Sequence, residues 1–257
     1  MTNEIYCSAA TVATNIDPSQ VPDLVVPAPP SDLAALIRQY RSVRSAVVVQ
    51  AMKAWLQRAG SDLPDPDRRG IALGTATGAG PDIEEFLDES IRLGDHLVNP
   101  AKFPMTVHNA AAGNAAIAAH CRGPNIVVSE GIHSVWSALT AAHALLHDNS
   151  ADIMFVGGFE SQRLANGSTG TIAAFIALSA GTAIFGENRI ASPNTRSHWA
   201  GVLPRPQGHA DSPEDPHPCE VGAASVMALV KFANTFAPAH GGAAAMGVVD
   251  ESEAVAR

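Results

Sequence analysis

Cysteine is scarce: Cys7, Cys121 and Cys219 are the three in 257 residues, too few and too scattered for a disulfide framework, and no CxxC pair is present. Positive charge is also scarce, with 16 Lys and Arg against 25 Asp and Glu and a net charge of −9. No segment concentrates the cations, which excludes the electrostatic footprint of a nucleic-acid or anionic-membrane binder. A neutral small molecule or a protein partner suits such a surface better. Long hydrophobic runs are missing too. The most apolar stretch, Gly170 to Gly186 (GTIAAFIALSAGTAIFG), is short for a membrane span and carries Thr171, Ser179 and Thr182. Its reading is a buried helix. The opening MTNEIYCSAATVATNID lacks the basic flank and continuous apolar core of a signal peptide, so a cytoplasmic location is expected. What is present, 46% hydrophobic and 16% charged residues, is the composition of a globular core.

The pattern along the chain alternates strands and helices. Residues 4–14 read as a strand that enters a Pro-rich loop, Val21 to Pro30. Ser31 is placed to cap a helix in which Leu33, Leu36, Ile37, Tyr40, Val43, Val47 and Met52 keep a helical spacing, with Gly60 ending it. Ile71 to Gly74 reads as a buried strand ending in a glycine-rich turn. Pro81 opens a helix with Asp82, Glu84 and Glu85 in its first turns. Helices are expected over 109–120 and 134–147, and strands over 125–129 and 153–157. Residues 187–220 are expected as a long loop and 221–232 as a strand. The expected divisions are an N-terminal strand and loop (1–30), one α/β domain (31–235) and a frayed tail (236–257). Continuous apolar strands between helices imply a mostly parallel buried sheet with helices packed on it.

Two apparent motifs carry no chemistry. Gly74 to Gly80 reads GTATGAG, which misses both GxxxxGK[ST] and GxGxxG, and is better read as a tight strand-to-helix turn. His198, His209, His217 and Cys219 share one loop, but their spacing matches no common zinc arrangement. Neither metal nor cofactor is expected.

The informative stretch runs from Val98 to Glu160. Its centre is a strand, a sharp turn Ser129-Glu-Gly-Ile-His-Ser134, and a helix. In α/β enzymes such a bend presents a nucleophile at a helix N-terminus, where the peptide dipole lowers a thiol's pKa. An ordinary βα connection has the same local pattern. The segment NPAKFPMTVHNAAAGNAAIAAHCRGPN resembles the NP…FP…N..AG..A…RGPN run of the β-ketoacyl synthases of the thiolase fold. VVSEGIHS resembles their VSTxCxS elbow, ADIMFVGGFES their ADxxLAGGxE strand, and ASPNTRSHWAG with CEVGAASVMAL the end of their first half-repeat. The resemblance covers roughly residues 30–232 and implies a thiolase-like half-repeat.

Counted from Arg122-Gly-Pro-Asn125, the nucleophilic Cys that the resemblance implies falls on Ile132. Isoleucine has no nucleophilic atom, so covalent acyl transfer there is excluded. The family's two catalytic His belong to its second half-repeat, beyond the stretch matched. Not a working condensing enzyme by itself, the chain is instead similar to chain length factors, silent partners of ketosynthases, and Val107 to Gly113 resembles the VHNAxAG signature of short members. The resemblance implies a ketosynthase partner, or else a homodimer, with an acyl carrier protein involved indirectly. It puts Thr106, His108 and Asn109 at the interface and Ile132 and His133 beside the acyl tunnel. The rival reading is a repurposed acyltransferase or thioester hydrolase using His133, with Ser134 nearby and no Cys.

Overall fold

The computed structural model describes residues 5–8, 10–16, 31–59, 63–164, 166–180, 189–190 and 226. In chain order these form β1 (Ile5–Cys7), β2 (Thr11–Thr14), α1 (Leu33–Tyr40), α2 (Val43–Ala59), β3 (Arg69–Gly74), α3 (Gly80–Leu93), α4 (Ala110–Ala118), β4 (Asn125–Val128), α5 (Ser134–His147), β5 (Ile153–Arg163), β6 (Thr169–Ala180) and β7 (Arg189–Ile190). The sheet order is β4-β3-β5-β6-β1-β7, with β2 also paired to β6.

The sheet is mixed, which corrects the expectation of a mostly parallel one. β3 pairs in parallel with β4 and β5, whereas β5/β6, β6/β1, β6/β2 and β1/β7 are antiparallel. Connection length is the reason. Parallel neighbours need a crossover, supplied by α3, α4 and α5, while β5 returns as β6 through a short turn in which Leu164 N–H donates to Ser168 O at 2.8 Å.

β6 overturns the buried helix expected from Gly170. It pairs with β5 from Ile153↔Ser179 to Arg163↔Thr169. Alternate side chains leave a strand on opposite faces. Ala173, Phe175 and Ala177 join Ile71, Leu73 and Phe155 in one core, and Ile172, Ala174, Ile176 and Leu178 join Met154 and Val156 in the other. With both faces covered no polar–apolar alternation survives, so such a strand imitates a buried helix in sequence.

α2 and α4 cover the first face, where Val47, Val48, Ala51 and Met52 meet Ala111, Ala112 and Ala115. Small residues on α4 allow this close approach. α5 covers the second face through Val135, Ala138, Leu139, Ala142 and Leu146. The helix expected from Ser31 is two helices, since Arg41 turns left-handed (φ 54°) and α2 restarts after it. Asp32, not Ser31, occupies the N-cap of α1 and makes no side-chain cap bond. The strand expected over 4–14 is likewise two strands, β1 and β2, with Ser8 between them accepting from Trp55 Nε1 at 2.9 Å. Of the loop and strand expected after residue 186, β7 and the buried, helical Val226 are described; the rest lies outside the described residues. No helix among the described residues is long and apolar enough to cross a membrane.

Candidate functional site

β3, β4 and β5 run in parallel, and β3 and β4 release their chains at one edge, where Gly74 pairs with Val128 on one side and with Gly158 of the continuing β5 on the other. Ligands of open α/β sheets bind outside such carboxyl ends. Three segments meet there: the turn 75–79 that enters α3, the elbow 129–133 that enters α5, and the continuation of β5 through Glu160. Packing at this edge is close. A Cβ on Gly74 would lie 2.3 Å from the Ser134 carbonyl carbon and from Val135 N, so glycine lets the start of α5 rest on the end of β3.

Glu160 sits opposite Ile172 on the α5 face and is 2% exposed. Its carboxylate accepts from Ala76 N–H, from Thr77 N–H at 3.0 Å and from the Thr77 hydroxyl at 2.7 Å. Burial pushes this carboxyl up to about 7, against the pull of those hydrogen bonds. The same turn holds the elbow. Ser134 Oγ lies 2.9 Å from Thr75 O and 2.6 Å from Gly131 O, and it accepts from Glu130 N–H at 2.8 Å. One hydroxyl proton serves two carbonyls, so Ser134 is engaged by backbone on every side.

Ile132 lies in the single 3₁₀ turn Gly131–His133, which Gly131 opens with φ +56°. It thus stands at the strand-to-helix bend. His133 is half-buried at the N-cap of α5 and makes no side-chain cap bond.

Thr106 closes the 3₁₀ helix Pro100–Thr106, its hydroxyl donating to Phe103 O at 2.8 Å. His108 and Asn109 are exposed, and Asn109 occupies the N-cap of α4 without a side-chain bond. The His108 ring packs on Gly78, where a Cβ would come within 2.5 Å of Cε1 and Nδ1; Gly78 also has φ +58°. Turn 75–78 therefore touches both groups of residues singled out in the sequence, the elbow and the 106–109 segment.

Arg44 of α2 fixes the second of these. Buried beneath it, Arg44 donates through Nη2 to Met105 O and Val107 O, places Nε 3.0 Å from Asp82 Oδ2, and lies 5.7 Å over the Phe159 ring. Burial lowers the pKa of Arg44 and raises that of Asp82, their attraction opposing both shifts. Around the segment Leu87, Ile91, Leu97, Phe103, Val107 and Ile117 are exposed apolar residues. A cleft of about 300 Å³ between α1, α3 and the 99–102 stretch has Ile37, Ser42, Asp82, Asn99 and Lys102 among its walls; none of Thr106, His108, Asn109, Ile132, His133 and Ser134 lines it.

Among the described residues no three His, Cys, Asp or Glu side chains are grouped to hold a metal, and His198, His209, His217 and Cys219 lie outside them. Sequence reasoning missed Glu160, Thr77 and Arg44. Its available signals were charges set within apolar runs, Glu160 after Phe155-Val-Gly-Gly-Phe159 and Arg44 among helix positions that turn inward.

Residues 91–162 match the family described as Beta-ketoacyl synthase, N-terminal domain. The 3-oxoacyl-[acyl-carrier-protein] synthase 2 of Coxiella burnetii (strain RSA 493 / Nine Mile phase I) is 31% identical over 138 residues, which is 49% of this chain and 32% of that protein. The match thus spans about a third of the length of that relative. Among solved structures, the ishigamide ketosynthase/chain length factor is similar with a TM-score of 0.55 at 19% identity, over 70% of this chain and 63% of that one. A ketosynthase in complex with its chain length factor from Xenorhabdus doucetiae is similar with a TM-score of 0.50 at 18% identity, over 70% of this chain and 81% of that one. Residues 91–162 are thus similar in sequence to the N-terminal domain of β-ketoacyl synthases, and the chain shares the fold of these two solved structures.

Proposed function

We propose that the chain is a non-catalytic, chain-length-factor-like subunit that pairs with a ketosynthase in polyketide- or fatty-acid-like biosynthesis and helps shape the acyl tunnel. The observation that carries this reading is a retained strand-to-helix elbow with Ile132 at the bend, where the resemblance calls for a nucleophilic Cys. An aliphatic side chain there performs no acyl transfer. Two further features support a partner. Exposed apolar residues surround the 106–109 segment, as interaction surfaces do. Among the described residues β4 is an edge strand whose Ile126, Val127 and Val128 are half-buried, which offers backbone groups to a neighbouring chain. The ishigamide protein and the Xenorhabdus doucetiae complex named above each join a ketosynthase with a chain length factor, which favours the same pairing here.

Against the hydrolase alternative, no described residue hydrogen-bonds to the His133 side chain to orient it as a base, and the neighbouring Ser134 hydroxyl is engaged by backbone. The deciding experiment is affinity capture from the native host followed by native mass spectrometry. A stoichiometric ketosynthase is expected, and a clean homodimer overturns the reading. In the reconstituted pair Ile132→Gly is expected to lengthen the product. Unchanged product length would remove the steric role of Ile132.

A further inference from the structure

One short turn at the sheet edge touches both the elbow and His108, and one side chain holds that turn. Ala76 and Thr77 give three donors to Glu160. Thr75 receives Ser134 of the elbow, and Gly78 supports the His108 ring. The carboxylate is thus joined by one intermediate segment to the elbow and by the same segment to the 106–109 stretch.

We propose that Glu160 is a positioning residue whose carboxylate sets the turn 75–78, and through it both the elbow and His108, so that docking of a partner follows the ionisation of this one group. The docking half rests on the partner reading above; the coupling of Glu160 to the turn does not.

The physical reason lies in acceptor count. An ionised carboxylate offers only acceptors, about four lone-pair sites, and the donors of Ala76, Thr77 and Thr75 match it. Protonation turns one oxygen into a donor facing other donors. Either the Ala76 or the Thr77 N–H then loses its partner, or the group rotates and the turn shifts. Burial places this change near neutrality, with the pKa pushed up to about 7. The balance at Glu160 is burial against hydrogen bonds from Ala76, Thr77 and Thr75, and no charged side chain enters it. The turn has no titratable side chain, β6 presents Ile172 opposite, and α5 begins with Ser134 and Val135. The charged or titratable groups on the surrounding elements are Asp82, Glu84, Glu85, Asp88, Glu89 and Arg92 of α3, Glu130 and His133 of the elbow, His143 and His147 of α5, Arg163 of β5 and His108.

The test compares the full chain with Glu160→Gln and Glu160→Asp by hydrogen exchange, as protection factors corrected for intrinsic pH dependence, between pH 6 and 8. Measured against a local opening that frees the turn while the carboxyl stays buried, wild-type protection at 76–78 and 108–110 should rise about tenfold with a midpoint near 7, the size of a one-unit pKa coupling; the opposite sign of global stability is set against the unfolded chain, where the carboxyl is in water. Glu160→Gln should stay low and flat, and Glu160→Asp should restore part of the rise. Equal protection in Glu160→Gln and wild type overturns the proposal. Should the variants fail to fold, NMR of the wild type decides: the Thr77 amide must titrate with the Glu160 carboxyl carbon at one shared midpoint, and separate midpoints overturn it. Ketosynthase affinity at pH 8 should fall about tenfold in Glu160→Gln, equivalent to 1.4 kcal/mol. A freed turn with unchanged affinity overturns the docking half. A wild type that binds no ketosynthase at any pH overturns the partner reading, while exchange at the turn still judges Glu160.

Discussion

Arg44 and Asp82 form an ion pair of 3.0 Å between α2 and α3, with Arg44 1% and Asp82 15% exposed. Both pKa values move toward the neutral forms, with burial the larger cause in each. Bringing the two charges out of water therefore outweighs their attraction, and the pair's value is geometric: it holds Met105 and Val107 in place beneath the 106–109 segment.

That balance predicts a non-additive mutant cycle. Arg44→Met alone leaves Asp82 buried without its cation and should cost about 3–5 kcal/mol. Asp82→Leu alone strands the guanidinium at a similar cost. The double variant should recover most of the loss, measured by urea unfolding of all four proteins. A double variant as unstable as the sum of the singles would contradict the burial argument.

Glu160 gives stability a pH dependence of definite sign. Its folded pKa, about 7, stands above the ordinary carboxylate value of 4.5, so the folded state binds the proton more tightly. Its contribution is fully present below about pH 4.5 and is lost as pH rises through 7, by up to ~3 kcal/mol. Urea unfolding between pH 5 and 8 should show this slope, and Glu160→Gln should remove its share.

Gly74→Ala should be among the most damaging small substitutions. The added methyl would sit 2.3 Å from backbone atoms of Ser134 and Val135, which no rotamer change relieves. A loss of more than ~2 kcal/mol is expected from such overpacking, read from the thermal midpoint. Gly80→Ala, with nothing within 4 Å of the added atom, is the control and should change little.

Ser134→Ala removes the hydroxyl that joins Thr75 O, Gly131 O and Glu130 N–H. Gly131 O keeps the Ser134 backbone N–H, so the loss falls on Thr75 O and Glu130 N–H and should cost about 1–3 kcal/mol. Faster hydrogen exchange should appear at 130–134 and 75–77 together. Exchange confined to one segment would show that the hydroxyl does not link them.

The reach of the sequence is clearest where period or spacing is local. α5 falls on 134–147 as read, and α3 begins at Gly80 with Pro81 in its first turn, because caps and proline act within a few residues. The bend at 129–133 was legible for the same reason. β6 was not: a strand buried on both faces has no polar side, and only its pairing with β5 distinguishes it from a helix. The site divides likewise. Ile132, His133, Thr106, His108 and Asn109 stood out through motif spacing, whereas Glu160 and Arg44 gained their significance from partners 84 and 61 residues away.

By itself the sequence determined an α/β chain with apolar strands, a glycine-rich turn at 74–80, and an elbow at 129–134 with an isoleucine, Ile132, at its bend. These follow from local sterics, caps and side-chain chemistry, which need no distant contact. Tertiary structure alone decided the mixed sheet and the meeting of turn, elbow and 106–109 segment around one buried carboxylate. Strand pairing and desolvation arise between residues far apart in the chain, and no local pattern encodes which of them will meet.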